Sequence, residues 1–166
     1  KVIQINGNGY YGSTAKIVRL ISNFLDEKDF GLVSLDIRDP KHDRRKIAKR
    51  KEKKNMTLEQ FYQKYPQQRM QINGQDFVYR YFKNEEARST LVLLTGGIGL
   101  SDLFYNHFER FTQDFSVITF DYLICYPTMA ELTDAMAELF KRLGIKVWLV
   151  GQSLGGATAQ IFAKRH

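Results

Sequence analysis

Three nearly uninterrupted apolar runs, each followed by a helical pattern, constrain the fold of this chain more than any other feature. They are TLVLLT at residues 90–95, SVITFD at 116–121 and KVWLV at 146–150. Runs of this kind are typical of strands that are covered on both faces, as the strands of parallel sheets are. Because these strands alternate with helices, we predict a mostly parallel sheet with helices on both faces, which is the α/β class.

Turn and capping patterns separate these runs and predict further elements. Asn73-Gly74 lies between two shorter segments and is typical of a β-hairpin, because both residues tolerate the positive φ of a type I′ turn. The capping-box pattern that begins a helix occurs twice, as Thr57 with Gln60 and as Thr128 with Glu131. Gly144 is expected to end the second of these helices.

A basic tract divides the chain. Residues 38–54 carry ten Lys or Arg and three Asp or Glu, so the whole net charge of +7 lies in this tract. We interpret it as a solvated linker and expect no nucleic-acid partner, because no aromatic side chain in it could stack on a base. The chain is therefore predicted to consist of a βαβ segment (1–39), a basic linker (40–55) and an α/β domain (56–166).

Composition excludes several other classes of protein. A content of 43% hydrophobic and 13% aromatic residues excludes a disordered chain. The longest apolar stretch, residues 91–100, is shorter than the roughly 18 residues of a membrane span, so we expect no membrane partner. The single cysteine, Cys125, fits a reducing, cytoplasmic location. The three histidines, His42, His107 and His166, lack the spacing of a metal site, and no cofactor is expected.

The pentapeptide GQSLG at residues 151–155 follows the last apolar run and precedes a helical pattern. A serine on so sharp a turn has a strained backbone, so its neighbours two positions away must be small, as Gly151 and Gly155 are. Gly156 allows close packing behind it. The turn would present the hydroxyl of Ser153 at a helix N-terminus, whose dipole favours developing negative charge. This context predicts a nucleophilic serine, with a purely structural glycine turn as the alternative.

Over residues 56–166 the sequence resembles the α/β-hydrolase family, as in its proline iminopeptidase-like members. TLVLLTGGIGLSDLF is similar to the family's third strand with its glycine-rich turn, FSVITFDYLICYPT to the fourth strand and its loop, and KVWLVGQSLGGATAQIFA to the fifth strand, nucleophile elbow and helix. The resemblance implies that Ser153 is the nucleophile and that Gln152 belongs to the elbow. It also implies an oxyanion hole formed by the backbone N–H groups of Gly97 and Leu154.

What the resemblance implies about function is a serine hydrolase. Such an enzyme would cleave an ester, amide or related bond of a small-molecule substrate through an acyl-enzyme, without a cofactor. The chain departs from the family at three places: Thr95 stands where His is usual, Ile98 replaces Pro, and Asp121 is followed by Tyr-Leu-Ile rather than Arg-Gly. These departures leave the substrate subclass open.

The residues that would activate Ser153 are not found. The family's order is serine, acid, histidine, and the thirteen residues after Ser153 contain no Asp or Glu. Along a helix, His166 would lie about 20 Å from Ser153, beyond the reach of a general base. We interpret His107 as a partly buried structural residue. We therefore expect the N-terminal half of a hydrolase, truncated after the elbow helix and inactive alone; a non-catalytic fragment or pseudoenzyme is the alternative.

The N-terminal segment contains a second glycine pattern. A G-x-G-x-x-G motif follows the first predicted strand, and the candidate phosphate-binding residues are Gly7, Gly9, Gly12, Ser13, Thr14 and Asp36. The segment resembles the start of some glycosyltransferases and the flavin loop of flavodoxin-like reductases. Nucleotide or flavin binding is thus an alternative function, and a structural glycine turn is the other interpretation.

The strand predicted at 146–150 has no predicted neighbour after it in the chain. We expect its outer edge to be open and to favour association, unless residues 1–39 cover it.

Overall fold

The computed structural model describes residues 2–6, 32–36, 56–122 and 126–166. In chain order the described elements are strands β1 (Val2–Asn6) and β2 (Leu32–Asp36), helix α1 (Leu58–Lys64), strands β3 (Gln68–Ile72), β4 (Gln75–Phe82) and β5 (Thr90–Leu94), a 3₁₀ turn (Ser101–Phe104), helix α2 (Tyr105–Phe111), strand β6 (Ser116–Phe120), helix α3 (Met129–Leu143), strand β7 (Val147–Gln152) and helix α4 (Leu154–Arg165).

The described strands form one mixed sheet in the order β2-β1-β7-β5-β6-β4-β3. Strand β5 pairs in parallel with β6 and β7, whereas the hairpin strands β3 and β4 are antiparallel to each other and β4 is antiparallel to β6. Every residue of β5 and β6 is buried. The prediction of an α/β fold with a mostly parallel sheet is confirmed.

Two hydrophobic clusters cover the two faces of the sheet. One joins α1 and α2 to the first face and contains Phe61, Tyr65, Leu91, Leu93, Phe108, Phe111, Val117 and Val150. The other joins α3 and α4 to the second face and includes Val92, Leu94, Ile118, Leu132, Met136, Leu139 and Ala159. Successive side chains of β5 alternate between the clusters, since neighbouring residues of a strand point to opposite faces. The helices therefore lie on both faces, as predicted.

Local signals set the ends of these elements. Asn73 and Gly74 adopt φ values of 52° and 77°, as a type I′ hairpin turn requires. Both predicted capping boxes are present, at Thr57 and at Thr128, and Gly144 ends α3 in the left-handed conformation. These boundaries follow from short-range chemistry, which is why the sequence predicts them.

Substituting Thr128 by Ala is expected to lower the free energy of unfolding by about 1 kcal/mol. The Thr128 hydroxyl accepts a hydrogen bond from the Glu131 N–H at 3.2 Å, and alanine leaves that donor without its cap. Urea unfolding measures the difference. Thr128→Ser retains the hydroxyl and is expected to stay within about 0.5 kcal/mol of the unsubstituted protein; an equal loss in both variants contradicts the capping role.

Strand β1 pairs in parallel with the outer side of β7, from Val2 opposite Leu149 to Ile5 opposite Gln152. Strand β2 continues the sheet beyond β1. The outer edge of β7 is therefore not open, and the alternative that residues 1–39 cover it is the one observed. Association of the chain stays a prediction. The helix of the predicted βαβ segment and the basic tract at 38–54 lie outside the described residues, so the division at 39 and 55 stays a prediction.

Within the described ranges, no helix is both long and apolar enough to cross a membrane.

Candidate active site

Ser153 occupies a sharp turn between strand β7 and helix α4. Its backbone has φ 52° and ψ −116°, a conformation that residues other than glycine rarely adopt. Such a residue carries strain of roughly 1–3 kcal/mol, which persists only where the surroundings hold it. The side chain is exposed and makes no capping hydrogen bond to α4. The strained serine turn predicted from the sequence is therefore present, with its hydroxyl open to solvent.

Two glycines permit this turn by allowing backbone segments to approach closely. A Cβ added to Gly151 would stand 2.2 Å from the carbonyl oxygen of Gly155. One added to Gly155 would stand 2.2 Å from the carbonyl oxygen of Leu94 and 2.6 Å from that of Thr95. Real Cβ atoms do not approach other atoms so closely, so any side chain at either position would force the backbones apart. The predicted need for glycine on both sides of Ser153 is confirmed.

The glycine-rich turn after β5 lies beside Ser153. A Cβ added to Gly96 would be 3.7 Å from the Cβ of Ser153, which places the two loops in contact. The Gly99 N–H donates to the Gly96 carbonyl at 2.9 Å, and Gly99 has φ 72°, so the segment closes as a tight turn. Gly97, between them, faces open space. The structure thus brings together the two loops that sequence analysis singled out separately.

The backbone N–H groups of Gly97 and Leu154 donate no hydrogen bond to any part of the chain that the structure describes. Leu154 is the first residue of α4, where N–H groups have no acceptor within the helix. The partial positive charge of a helix N-terminus attracts negative charge.

Residues at the end of β6 contact the same glycine-rich turn. The Tyr122 hydroxyl donates to the Thr95 carbonyl at 2.7 Å, and the Tyr122 N–H donates to the Gly99 carbonyl at 2.9 Å. Burial raises the pKa of Tyr122, so the phenol stays protonated and remains a donor. The sequence shows Tyr122 only as a departure from the family pattern after Asp121 and predicts no role for it in the site. The available signal is that Tyr122 lies two residues after the end of β6. Because β6 is parallel to β5, the carboxyl ends of both strands lie at the same side of the sheet.

The two histidines within the described ranges belong to α2 and to the C-terminal end of α4. His107 is a partly buried residue of α2 whose ring meets that of Phe104 edge-on, with 6.2 Å between centroids, and burial lowers its pKa. His166 follows the 12 residues of α4, a helix about 18 Å long, and its Nε2 lies 2.9 Å from Asp134 Oδ1. The position of His166 agrees with the expectation that it does not reach Ser153, and His107 is partly buried as expected.

Several other candidate residues cannot be placed. Gly7, Gly9, Gly12, Ser13, Thr14, His42 and Cys125 lie outside the described residues. Asp36 is the last residue of β2, and β1 separates that strand from β7 in the sheet. Among the residues that the structure does describe, no cluster of His, Cys, Asp or Glu could hold a metal ion.

No family model matches the sequence, and no curated protein sequence is significantly similar to it. Solved structures do resemble it. A carboxylesterase from Bacillus subtilis is 20% identical with a TM-score of 0.51, over 65% of this chain and 42% of that chain. The naproxen esterase of the same organism is also 20% identical with a TM-score of 0.51, over 65% of this chain and 44% of that one.

A third structure, an α/β-hydrolase from Novosphingobium aromaticivorans, is 17% identical with a TM-score of 0.52, over 61% of this chain and 40% of that chain. Identities this low show a shared fold. This chain spans about two fifths of the length of these three structures.

Proposed function

We propose that this chain, which has the α/β-hydrolase fold, carries the nucleophile of a serine hydrolase acting on an ester, amide or related bond of a small molecule. One observation carries the proposal. Ser153 is held at positive φ, with its side chain exposed, beside a glycine turn and a helix N-terminus that both offer unpaired N–H groups. Strain of this kind is concentrated at functional sites, and here it supports a nucleophile elbow.

In the proposed reaction the Ser153 Oγ attacks the carbonyl carbon of the substrate while a base takes the hydroxyl proton. The carbonyl oxygen becomes an oxyanion, which accepts hydrogen bonds from the N–H groups of Gly97 and Leu154. When the oxyanion collapses, the alcohol or amine leaves with a proton and Ser153 is acylated. Water then attacks the ester, releasing the acid and regenerating the hydroxyl. The reaction needs no cofactor.

This mechanism needs a base, and within the residues that the structure describes none is identified beside Ser153. A serine hydroxyl is a weak nucleophile until an adjacent base activates it, and general-base assistance contributes roughly 10²–10⁴ in rate. His166 contacts Asp134 at the far end of α4, and His107 belongs to α2. We therefore expect this 166-residue chain by itself to show little or no turnover. The same observation favours the second candidate function, a non-catalytic chain that retains the fold.

A labelling experiment tests the proposed nucleophile. The purified chain is incubated with a fluorophosphonate, with and without added imidazole as an external base, and its intact mass is followed over time. We expect little adduct without imidazole and one adduct at least about tenfold faster with it, because imidazole supplies a proton acceptor for the Ser153 hydroxyl. Ser153→Ala should form no adduct under either condition.

Ser89→Ala is the matched control. Ser89 precedes the first residue of β5, whereas Ser153 follows the last residue of the parallel strand β7, so the two serines lie at opposite ends of the strands. It should label like the unsubstituted chain. A folded chain that stays unlabelled in imidazole favours the non-catalytic alternative. Rapid labelling without imidazole would instead show that a base already reaches Ser153, and would overturn the expected inactivity.

A further inference from the structure

We propose that Asp121 and Tyr122 are positioning residues of this site, which hold the loop at residues 95–101 so that the Gly97 N–H stays beside Ser153. The inference rests on the proposed function, because it concerns the donor to the oxyanion. Neither residue is proposed to touch the substrate; each acts through the loop that it binds.

Tyr122 holds the first part of the loop by both its backbone and its side chain. Its hydroxyl donates to the Thr95 carbonyl at 2.7 Å, and its N–H donates to the Gly99 carbonyl at 2.9 Å. These two carbonyls lie on either side of Gly97. A Cβ added to Gly99 would stand 3.2 Å from the Cβ of Tyr122, so the tyrosine also packs directly against the turn.

Asp121 holds the last part of the loop. Its Oδ1 accepts two hydrogen bonds from Ser101, one from the N–H and one from the hydroxyl, both at 2.7 Å. Hydrogen bonds to a carboxylate are roughly twice as strong as those between neutral groups. Ser101 is only 3% exposed, so water competes little for these bonds. The carboxylate therefore fixes the residue at which the loop enters the 3₁₀ turn.

Between these two attachments the loop has little to hold it. Gly97 and Ile98 are exposed, and one hydrogen bond within the turn, from Gly99 to Gly96, closes it. Glycine gains more conformational freedom than other residues when a loop opens. An oxyanion donor is effective only when it is already in place, and a displacement of about 1 Å can cost on the order of 100-fold in rate. The contacts from Asp121 and Tyr122 supply the order that this glycine-rich sequence lacks.

Tyr122→Phe tests the inference, with Tyr126→Phe as the matched control. Each substitution removes one tyrosine hydroxyl that donates to a backbone carbonyl, that of Thr95 in the first case and that of Ile72, at 3.3 Å, in the second. Hydrogen exchange of the Gly99 amide, measured by NMR on the full chain, reports opening of the turn. We expect exchange about tenfold faster in Tyr122→Phe and unchanged in Tyr126→Phe, since only the first loses a bond to this loop.

The second readout is the rate at which Ser153 is labelled by fluorophosphonate in imidazole, expected to fall about tenfold in Tyr122→Phe alone. A purely structural role would speed exchange without slowing labelling, and that result overturns the inference, as does unchanged exchange. If the unsubstituted chain is not labelled at all, the proposed function fails instead, whatever the exchange rates show.

Substitutions of Asp121 keep the inference testable if Tyr122→Phe does not fold. Asp121→Asn retains an oxygen that can accept from Ser101, whereas Asp121→Ala does not. We expect Asp121→Ala to speed Gly99 exchange and slow labelling about as much as Tyr122→Phe does, and Asp121→Asn to restore both to within about threefold. Equal behaviour of the two variants contradicts a positioning role for the carboxylate.

Discussion

Gly155→Ala is expected to lower the free energy of unfolding by at least about 3 kcal/mol, or to prevent folding. The new Cβ would lie 2.2 Å from the carbonyl oxygen of Leu94 and 2.6 Å from that of Thr95. Both are backbone atoms at the end of a buried central strand, so neither can rotate away as a side chain could. Relief requires α4 to move away from β5, which opens the core on that face of the sheet.

Urea unfolding followed by the fluorescence of Trp148, the single tryptophan, measures this loss. Gly97→Ala is the matched control, because a Cβ at Gly97 meets no atom within 4 Å. Its expected effect lies between about no change and a stabilisation of about 1 kcal/mol, since alanine restricts the unfolded chain. A Gly155→Ala protein as stable as the control would show that the turn at residues 151–155 does not pack against the end of β5.

The serine turn illustrates what the sequence can predict. The strain at Ser153 and the need for Gly151, whose Cβ would meet the Gly155 carbonyl, follow from residues within a few positions of each other. The pattern also predicts a small residue at Gly155, although the atoms that a Cβ there would meet belong to Leu94 and Thr95, at the end of a distant strand. The capping boxes and the hairpin turn are local. Buried strands are predictable for a related reason, because an apolar run records that both faces of a strand are covered.

Features that depend on distant parts of the chain were not predictable in this way. The pairing of β1 with β7 joins residues about 150 positions apart, and no local pattern specifies which strand covers an edge. Tyr122 reaches Thr95 across 27 positions through a single hydroxyl. The spacing of apolar residues does not predict such a hydrogen bond, because the bond depends on where two loops meet after the sheet has formed.

The burial of Arg80 is another feature that depends on distant parts of the chain and that the sequence does not predict. Sequence patterns place arginine on the surface, yet this residue is 6% exposed. Its guanidinium lies 5.2 Å from the ring centroid of Phe61 and 4.8 Å from that of Tyr62, and it donates to the Tyr65 carbonyl at 2.6 Å. Two residues of α1, Phe61 and Tyr62, and its C-terminal cap residue Tyr65 thus surround the charge of Arg80 on β4. This arrangement forms only when helix and sheet are assembled.

Phe61→Ala is accordingly expected to lower the free energy of unfolding by about 3–5 kcal/mol. Phe61 is fully buried, and its ring lies 5.5 Å from that of Phe108 and 5.6 Å from that of Tyr65, centroid to centroid. Helix α1 has only seven residues, too few to be stable without packing. Truncating the Phe61 side chain would leave a cavity and would also remove the aromatic face next to the Arg80 guanidinium. The loss of stability therefore exceeds that expected from the lost apolar area alone.

Leu58→Ala is the control on the same helix, because Leu58 is 40% exposed and its truncation should cost no more than about 1 kcal/mol.

The same two variants also test whether α1 supports the candidate site. Arg80 pairs with Asp102 at 3.7 Å, in the 3₁₀ turn that follows the 95–101 loop, so a loosened α1 removes one support of that turn. Phe61→Ala should therefore speed exchange of the Gly99 amide, whereas Leu58→Ala should not. Equal losses of stability in both variants would mean that α1 is not anchored through Phe61.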